Sequence, residues 1–244
     1  MAVVAPTAGR QQLSEDVAAY VRELIITGQV RPGEFLRTEP IAKAVGVSNT
    51  PVREGLLILS GEGFVELVPR RGFVVSEFTP QDVQDLFWAQ AVLAAELAAR
   101  AAGRITGVQL DELRTNVDEH RAAHVAGDHD ATVRLGHDFH RRINLAADSR
   151  RLTMMLAAIV RQLPNRFYHD IEGHTDDTIA AHPRIVAALA AGDDDSARVL
   201  MRDHIMSGVD ELVAMLTGQG MWPDPDSRSA DGIRSGSSRA VGDR

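Results

Sequence analysis

The chain contains no cysteine. Disulfides and thiolate metal sites are therefore excluded, and a reducing cytoplasm fits. No run approaches the ~18 apolar residues that a membrane helix needs, and no N-terminal stretch has the charged-then-apolar build of a signal peptide. Positive charge is also short. The net charge of −8 argues, taken whole, against a non-specific nucleic-acid binder. Total charge does not forbid local basic clusters that dock on DNA, so the distribution has to decide. What is present is the balance of a soluble globular protein, 44% apolar and 25% charged over 244 residues, enough for one large domain or two ordinary ones.

The texture changes along the chain. Residues 11–78 mix helical stretches with two β-rich runs, whereas residues 79–217 read as helix after helix, rich in Ala and Leu. Residues 1–10 read as a frayed, disordered end, and residues 218–244 as a disordered tail of Gly, Ser, Asp, Pro and Arg. Thr79 and Pro80 have the chemistry of a helix cap and a first helical position, which sets the boundary between the two parts.

In the first part, Leu13, Val17, Tyr20, Val21, Leu24 and Ile25 recur at helical spacing and predict a helix over 12–28. A second helix runs from near Pro40 to Gly46, and a third from after Ser48 to about Glu62. Residues 64–68 and 73–75 read as strands of a hairpin turning through Pro69, Arg70, Arg71 and Gly72. The second part suggests six helices, at about 80–103, 106–126, 129–147, 149–169, 175–191 and 193–216, with Gly103, Gly127 and Gly192 at their stops. The expected fold is mainly α: an N-terminal winged helix-turn-helix joined to an antiparallel all-helical bundle.

The sharpest local signal lies at Ile41–Val52. Ala42 is a small residue suited to a close helix crossing, and Gly46 tolerates the positive φ of a tight turn. Ser48 is placed to cap the next helix. Such a helix enters the major groove with its leading residues at the base edges. Ser48, Asn49 and Thr50 suit bases or phosphates, and Arg53 reaches guanine or a phosphate from one turn further on. Arg70 and Arg71 at the hairpin tip, with Arg37 and Lys43, add backbone contacts.

The ordered strings Gly28–Leu36, Val47–Glu54, Gly61–Val65 and Arg70–Val75 resemble the GntR family of bacterial regulators. The resemblance implies that Arg53, the Ser48–Thr50 turn and wing residues Arg71 and Gly72 contact operator DNA. Relatives usually carry Arg where this chain has Asn49, and Asn pairs with adenine. The second part is similar to the FCD ligand-binding domain of the same family, through Phe139–His140, His182–Val186 and the run from Ala197 through Met201 to His204–Ile205. Together the resemblance covers residues 11–216 and implies a DNA-binding repressor of a metabolic operon that responds to a small effector and acts as a homodimer.

His140, His182 and His204 each have apolar neighbours one helical turn away, so their imidazoles can converge on one divalent metal, zinc or nickel among others. The resemblance makes these positions metal ligands, beside an Asp one turn before the first. Here that position is Gly136, which leaves either three protein ligands with water or effector completing the site, or a site that holds metal weakly or not at all. His137 is placed to approach the site, whereas His120, His124, His129, His169 and His174 read as surface residues. A neutral or positive pocket suits a carboxylate effector, with Arg100, Arg134, Arg161 and Arg166 on the candidate helices. The Ala-rich face of residues 89–102 offers either a dimer contact or an internal core. Two other functions compete: a metal-dependent hydrolase using the same histidines, and a winged-helix adaptor that binds protein. The hydrolase needs a carboxylate near the metal, and no arrangement like HExxH is present.

Overall fold

The computed structural model describes residues 8–163, 176–218 and 220–222. The N-terminal head packs α1 (Ala8–Ile26), α2 (Thr38–Val45) and α3 (Asn49–Gly61) against a small sheet of β1 (Phe35–Leu36), β2 (Val65–Val68) and β3 (Gly72–Val75). The sheet order is β1-β3-β2 and both pairings are antiparallel. Val68 lies opposite Gly72, so the hairpin tip is Pro69–Arg71 and Gly72 already belongs to the strand. Two residues of the tip region hold positive φ, Arg70 at 64° and Gly72 at 106°. The two-residue strand β1 was not foreseen. It is too short to show a period, and only its pairing of Phe35 with Val74 defines it.

Gly46 ends α2 in the left-handed conformation, at φ 77°, as the turn requires. Ser48 occupies the cap position of α3 but makes no side-chain cap hydrogen bond, which corrects the expected role of its hydroxyl. The tightest approach in the head also differs from the expected one. Ala42 is only half-buried. The close crossing is of α1 over α3, at Gly55: a Cβ built there would stand 2.8 Å from the Ser14 carbonyl oxygen and 2.8 Å from Val17 Cγ1. The same helix pair is tied by Arg22, which donates to Glu62 at 2.6 Å with both side chains mostly buried. Burial raises the Glu62 carboxyl above its ordinary range even with that guanidinium beside it.

The second part contains α4 (Pro80–Ala102), α5 (Gly107–Val125), α6 (His129–Ala146), α7 (Arg150–Val160), α8 (Asp176–Ala191), α9 (Asp194–Met206) and α10 (Val209–Gly218). Thr79 and Asp82 form a reciprocal capping box at the start of α4, where Pro80 takes a first-turn position. The helix expected over 193–216 is two helices, broken at Ser207–Gly208. The part of the 149–169 stretch beyond residue 163 lies outside the described residues.

Helix α4 is the axis of the bundle and packs against α6, α7, α8, α9 and α10. Its alanines are the reason. Ala91, Ala94, Ala95, Ala98 and Ala101 are buried, and small side chains let neighbouring helices approach closely. The Ala-rich stripe is therefore an internal core, and its alternative as a dimer contact is set aside. The outer side of α4 carries Trp88 and Val92, exposed by 63% and 43%.

The two parts meet at the linker. Phe64 and Phe78 stack with centroids 5.1 Å apart. The Trp222 indole, just past α10, donates to the Phe78 carbonyl at 2.6 Å. The start of the expected disordered tail thus packs on the core through Met221 and Trp222. At the other end, α1 begins at Ala8, inside the segment expected to fray.

Candidate functional site

Two arrangements carry chemistry. The first is on the surface of the head. Val52, Leu56 and Leu59 of α3 are fully buried, and this fixes which face of the helix turns outward. Ser48, Asn49, Thr50 and Arg53 are all exposed, as are Arg37, Lys43, Arg70 and Arg71, while Gly72 is half-buried. A groove of about 730 Å³ runs between α3 and the wing, lined among others by Arg37, Arg53, Arg70, Arg71 and Glu39. Four guanidiniums against one carboxylate make this groove positive on a chain of net charge −8. Lys43 and the Ser48–Thr50 turn stand outside its lining. Phe35, which the sequence reading passed over, places one of the arginines: the Arg71 guanidinium lies 4.4 Å above its ring.

The second arrangement is inside the bundle. His140 on α6, His182 on α8 and His204 on α9 bring one ring nitrogen each to within 4.8 Å of one another. The Nε2 of His204 is 3.2 Å from the Nε2 of His182 and 3.2 Å from that of His140. A neutral imidazole nitrogen has one proton or one in-plane lone pair, so His204 cannot make two good hydrogen bonds through it. A cation accepts lone pairs from all three. Two nitrogens each about 2.1 Å from one ion are separated by about 3.0 Å at a right angle and about 3.4 Å at the tetrahedral angle, which brackets the spacing here.

The rings are prepared for that role. Burial, and then the neighbouring histidines, hold His140 and His182 well below the ordinary histidine range. Burial, and then His120, bring His204 down to about 4. All three are therefore neutral near pH 7, the form in which imidazole ligates. Phe139 stacks on His182 at 3.9 Å between centroids and fixes that ring. The Nδ1 atoms of His182 and His204 are buried with no hydrogen-bond partner among the described residues. They lack the outer hydrogen bond that usually orients a ligating imidazole.

Several expected residues fall elsewhere. His120 is a correction: only 1% exposed, its ring lies 4.9 Å from that of His182. Leu113, Asn116, Val117 and His120 are buried on one face of α5, but two of the four are polar, so no apolar period marks that face in the sequence. Arg100, Arg134 and Arg161 are exposed. Arg100 is engaged with Glu96 at 2.7 Å and with Ser149. These three stay in water, where a guanidinium pays no desolvation cost, so the expected effector-binding arginines are not brought to the histidines. Arg166, His169 and His174 lie outside the described residues. Asp138, two residues before His140, pairs with Arg142 at 2.6 Å.

Residues 13–75 match the family profile described as bacterial regulatory proteins, gntR family, and residues 85–207 match the FCD domain. An HTH-type transcriptional regulator in an unstable DNA locus of Streptomyces ambofaciens is 29% identical over 212 residues, covering 86% of this chain and 88% of that protein. The HTH-type transcriptional repressor RspR of Escherichia coli K12 is 24% identical over 199 residues, covering 80% and 86%. Among solved structures, E. coli McbR/YncC superposes with a TM-score of 0.62 at 23% identity, covering 88% of this chain and all, 100%, of that one. A putative GntR transcriptional regulator from Rhodococcus sp. RHA1 gives 0.53 at 23% identity, covering 85% and 98%. At these identities the two structures speak for the fold.

Proposed function

We propose that this chain, which belongs to the GntR family of bacterial regulatory proteins and carries an FCD domain, is an operator-binding repressor whose grip on DNA is set by a small effector at a metal centre in the helical domain. The observation that carries the DNA half is the arginine-lined groove between α3 and the wing, with the exposed Arg53 in its lining and the exposed Ser48–Thr50 turn outside it. Arg53 would read base edges or phosphate, Asn49 an adenine, and Arg70, Arg71 and Arg37 the flanking backbone. Lys43, Ser48, Thr50 and Gly72 complete the contact surface. This positive groove argues against an adaptor without DNA.

In the helical domain, His140, His182 and His204 would hold a divalent ion such as zinc or nickel, with a coordination position left for a carboxylate effector. The bound ion supplies a Lewis-acidic anchor for an anion. The residues themselves bind, orient and exclude water. The same centre without a carboxylate at Gly136 suits holding a ligand better than activating water for hydrolysis. Binding there would alter how α9 and α10 sit, and Trp222 connects the end of α10 to the linker carbonyl of Phe78.

Paired half-sites call for a two-fold dimer. Trp88 and Val92, exposed one turn apart on α4, offer apolar surface for the second copy. No helix among the described residues is long and apolar enough to cross a membrane, and a cytoplasmic site of action fits this reading. The test is a gel shift with DNA flanking the protein's own gene. Wild type retards that DNA, and Arg53→Ala loses affinity by about 10–100-fold, the worth of one good base contact. Undiminished binding by the variant would remove α3 from the interface.

A further inference from the structure

Helix α5 contributes two buried polar atoms that the fold leaves unsatisfied. Nε2 of His120 and Oδ1 of Asn116 have no hydrogen-bond partner among the described residues, although the side chains are 1% and 3% exposed. They are four positions apart and so share one helix face. Leaving one such group unmade costs on the order of 1–3 kcal/mol, so two on one face call for an occupant.

Both atoms are acceptors. The Asn116 Nδ2 group donates to the Leu135 carbonyl at 3.2 Å, which fixes Oδ1 as the free end of the amide. The Thr132 backbone favours a proton on the His120 ring, and with Nε2 unpartnered among the described residues that proton is assigned to Nδ1. A neutral ring protonated there presents a lone pair at Nε2. His120 lies against the ring of His182. Leu135 and Thr132, which hold the pair, flank Gly136 and the first turns of α6.

We propose that His120, with Asn116 beside it, is a positioning residue of the His140–His182–His204 centre, accepting a hydrogen bond from the water or hydroxyl group that takes the coordination position vacated by the missing carboxylate at Gly136. This rests on the metal reading given above. The Gly136 position provides no anionic ligand, and a neutral acceptor that does not itself touch the ion would retain the donor group that replaces it. Three imidazoles are then enough protein ligands, because the fourth, exchangeable one is anchored from α5. The centre therefore prefers an occupant that carries a hydrogen-bond donor next to its metal-binding atom.

The test uses Co2+ alone as probe, titrated into the full metal-free chain and followed by its visible absorption. Wild type takes up one ion per chain. His120→Phe keeps an aromatic ring against His182, removes the acceptor, and weakens Co2+ by about 10–100-fold with the band shape preserved, as loss of an outer partner does. His120→Gln restores an acceptor and recovers affinity to within about threefold of wild type. Equal affinity in His120→Phe, or a band altered as by loss of a direct ligand, overturns the proposal while leaving the metal centre standing. No uptake by wild type overturns the centre and this inference with it. Circular dichroism reports folding separately. Should His120→Phe fail to fold, Asn116→Leu carries the same expectation, and undiminished affinity there overturns the proposal.

Discussion

The head and the bundle interior store function in opposite ways. In the head, the groups proposed to meet DNA are already in water: Arg53, Arg70 and Arg71 are exposed, and the α3 core is Val52, Leu56 and Leu59 at 0% exposure. In the bundle, the chemistry is buried. His182 is 0%, His120 1% and His204 7% exposed, and several of their ring nitrogens go unpaired among the described residues. An exposed charge gives up little when its partner is absent, so the head binds DNA with a surface that costs the fold nothing. A buried imidazole has lost its hydration whether or not a ligand is present, so the interior is destabilised until something binds there. A ligand that completes the interior centre thus gains a large differential free energy, which is what a sensor needs to shift a conformational equilibrium.

The largest consequence is a histidine response to acid, confined to one half. All nine histidines lie beyond residue 119, so the head has none to titrate. The folded-state values of His140, His182 and His204 are all lowered from the ordinary 6.5, that of His204 to about 4. A group lowered on folding is bound by more protons in the unfolded chain, so its stabilisation is complete above about pH 6.5 and is lost as pH falls toward the folded value. Each ring contributes up to about 1.4 kcal/mol per pH unit in that window. Urea midpoints of the metal-free protein are expected to fall steadily between pH 6.5 and 4. His204→Gln should flatten part of the slope. A pH-independent midpoint across this range would mean the three rings are not desolvated as described.

Next in size is Gly55. A methyl group there meets the Ser14 carbonyl and Val17 at 2.8 Å, and the first of these is backbone that cannot rotate away. Gly55→Ala is expected to push α1 off α3 and cost about 1–3 kcal/mol, with operator binding weakened only in proportion to the unfolded fraction. Thermal melts would show it, and an unchanged melting temperature would place the close crossing elsewhere. This residue also marks what the sequence could convey. The winged-helix head, the helical second part and the three converging histidines were legible because each rests on local spacing, cap chemistry or a family resemblance: Gly46, Thr79 with Pro80, the apolar period of α3. Gly55, His120 and the Phe35 platform were not, because each depends on which second element lies opposite. A glycine within a helix reads as a weak spot until α1 is seen crossing it. A histidine on an amphipathic helix reads as surface until the bundle closes around it.

Smaller again is the tie between the halves. Trp222→Phe removes the indole donor to the Phe78 carbonyl and keeps most of the ring's packing, for an expected loss of about 1 kcal/mol. If the tie carries the signal, the same variant should reduce the change in operator affinity that metal produces, measured by gel shift with and without Co2+, while leaving affinity without metal nearly intact. A variant that responds to metal as wild type does would relegate Trp222 to packing alone.

The smallest effect tests the claim that the head holds its function at no cost to the fold. Phe35 is paired with Val74 in the sheet, and its ring lies under Arg71. Phe35→Leu keeps an apolar residue in the two-residue strand and removes the π face. Without it the guanidinium samples more rotamers before reaching the wing's DNA contact, and an exposed cation–π contact is worth about 0.5–1 kcal/mol. Operator affinity should drop about two- to fivefold, and the slope of its salt dependence should stay as it was, since Arg71 still meets its phosphate. A large fall in melting temperature alongside would show that the aromatic platform belongs to the core of the head, and that the surface half, too, trades stability for function.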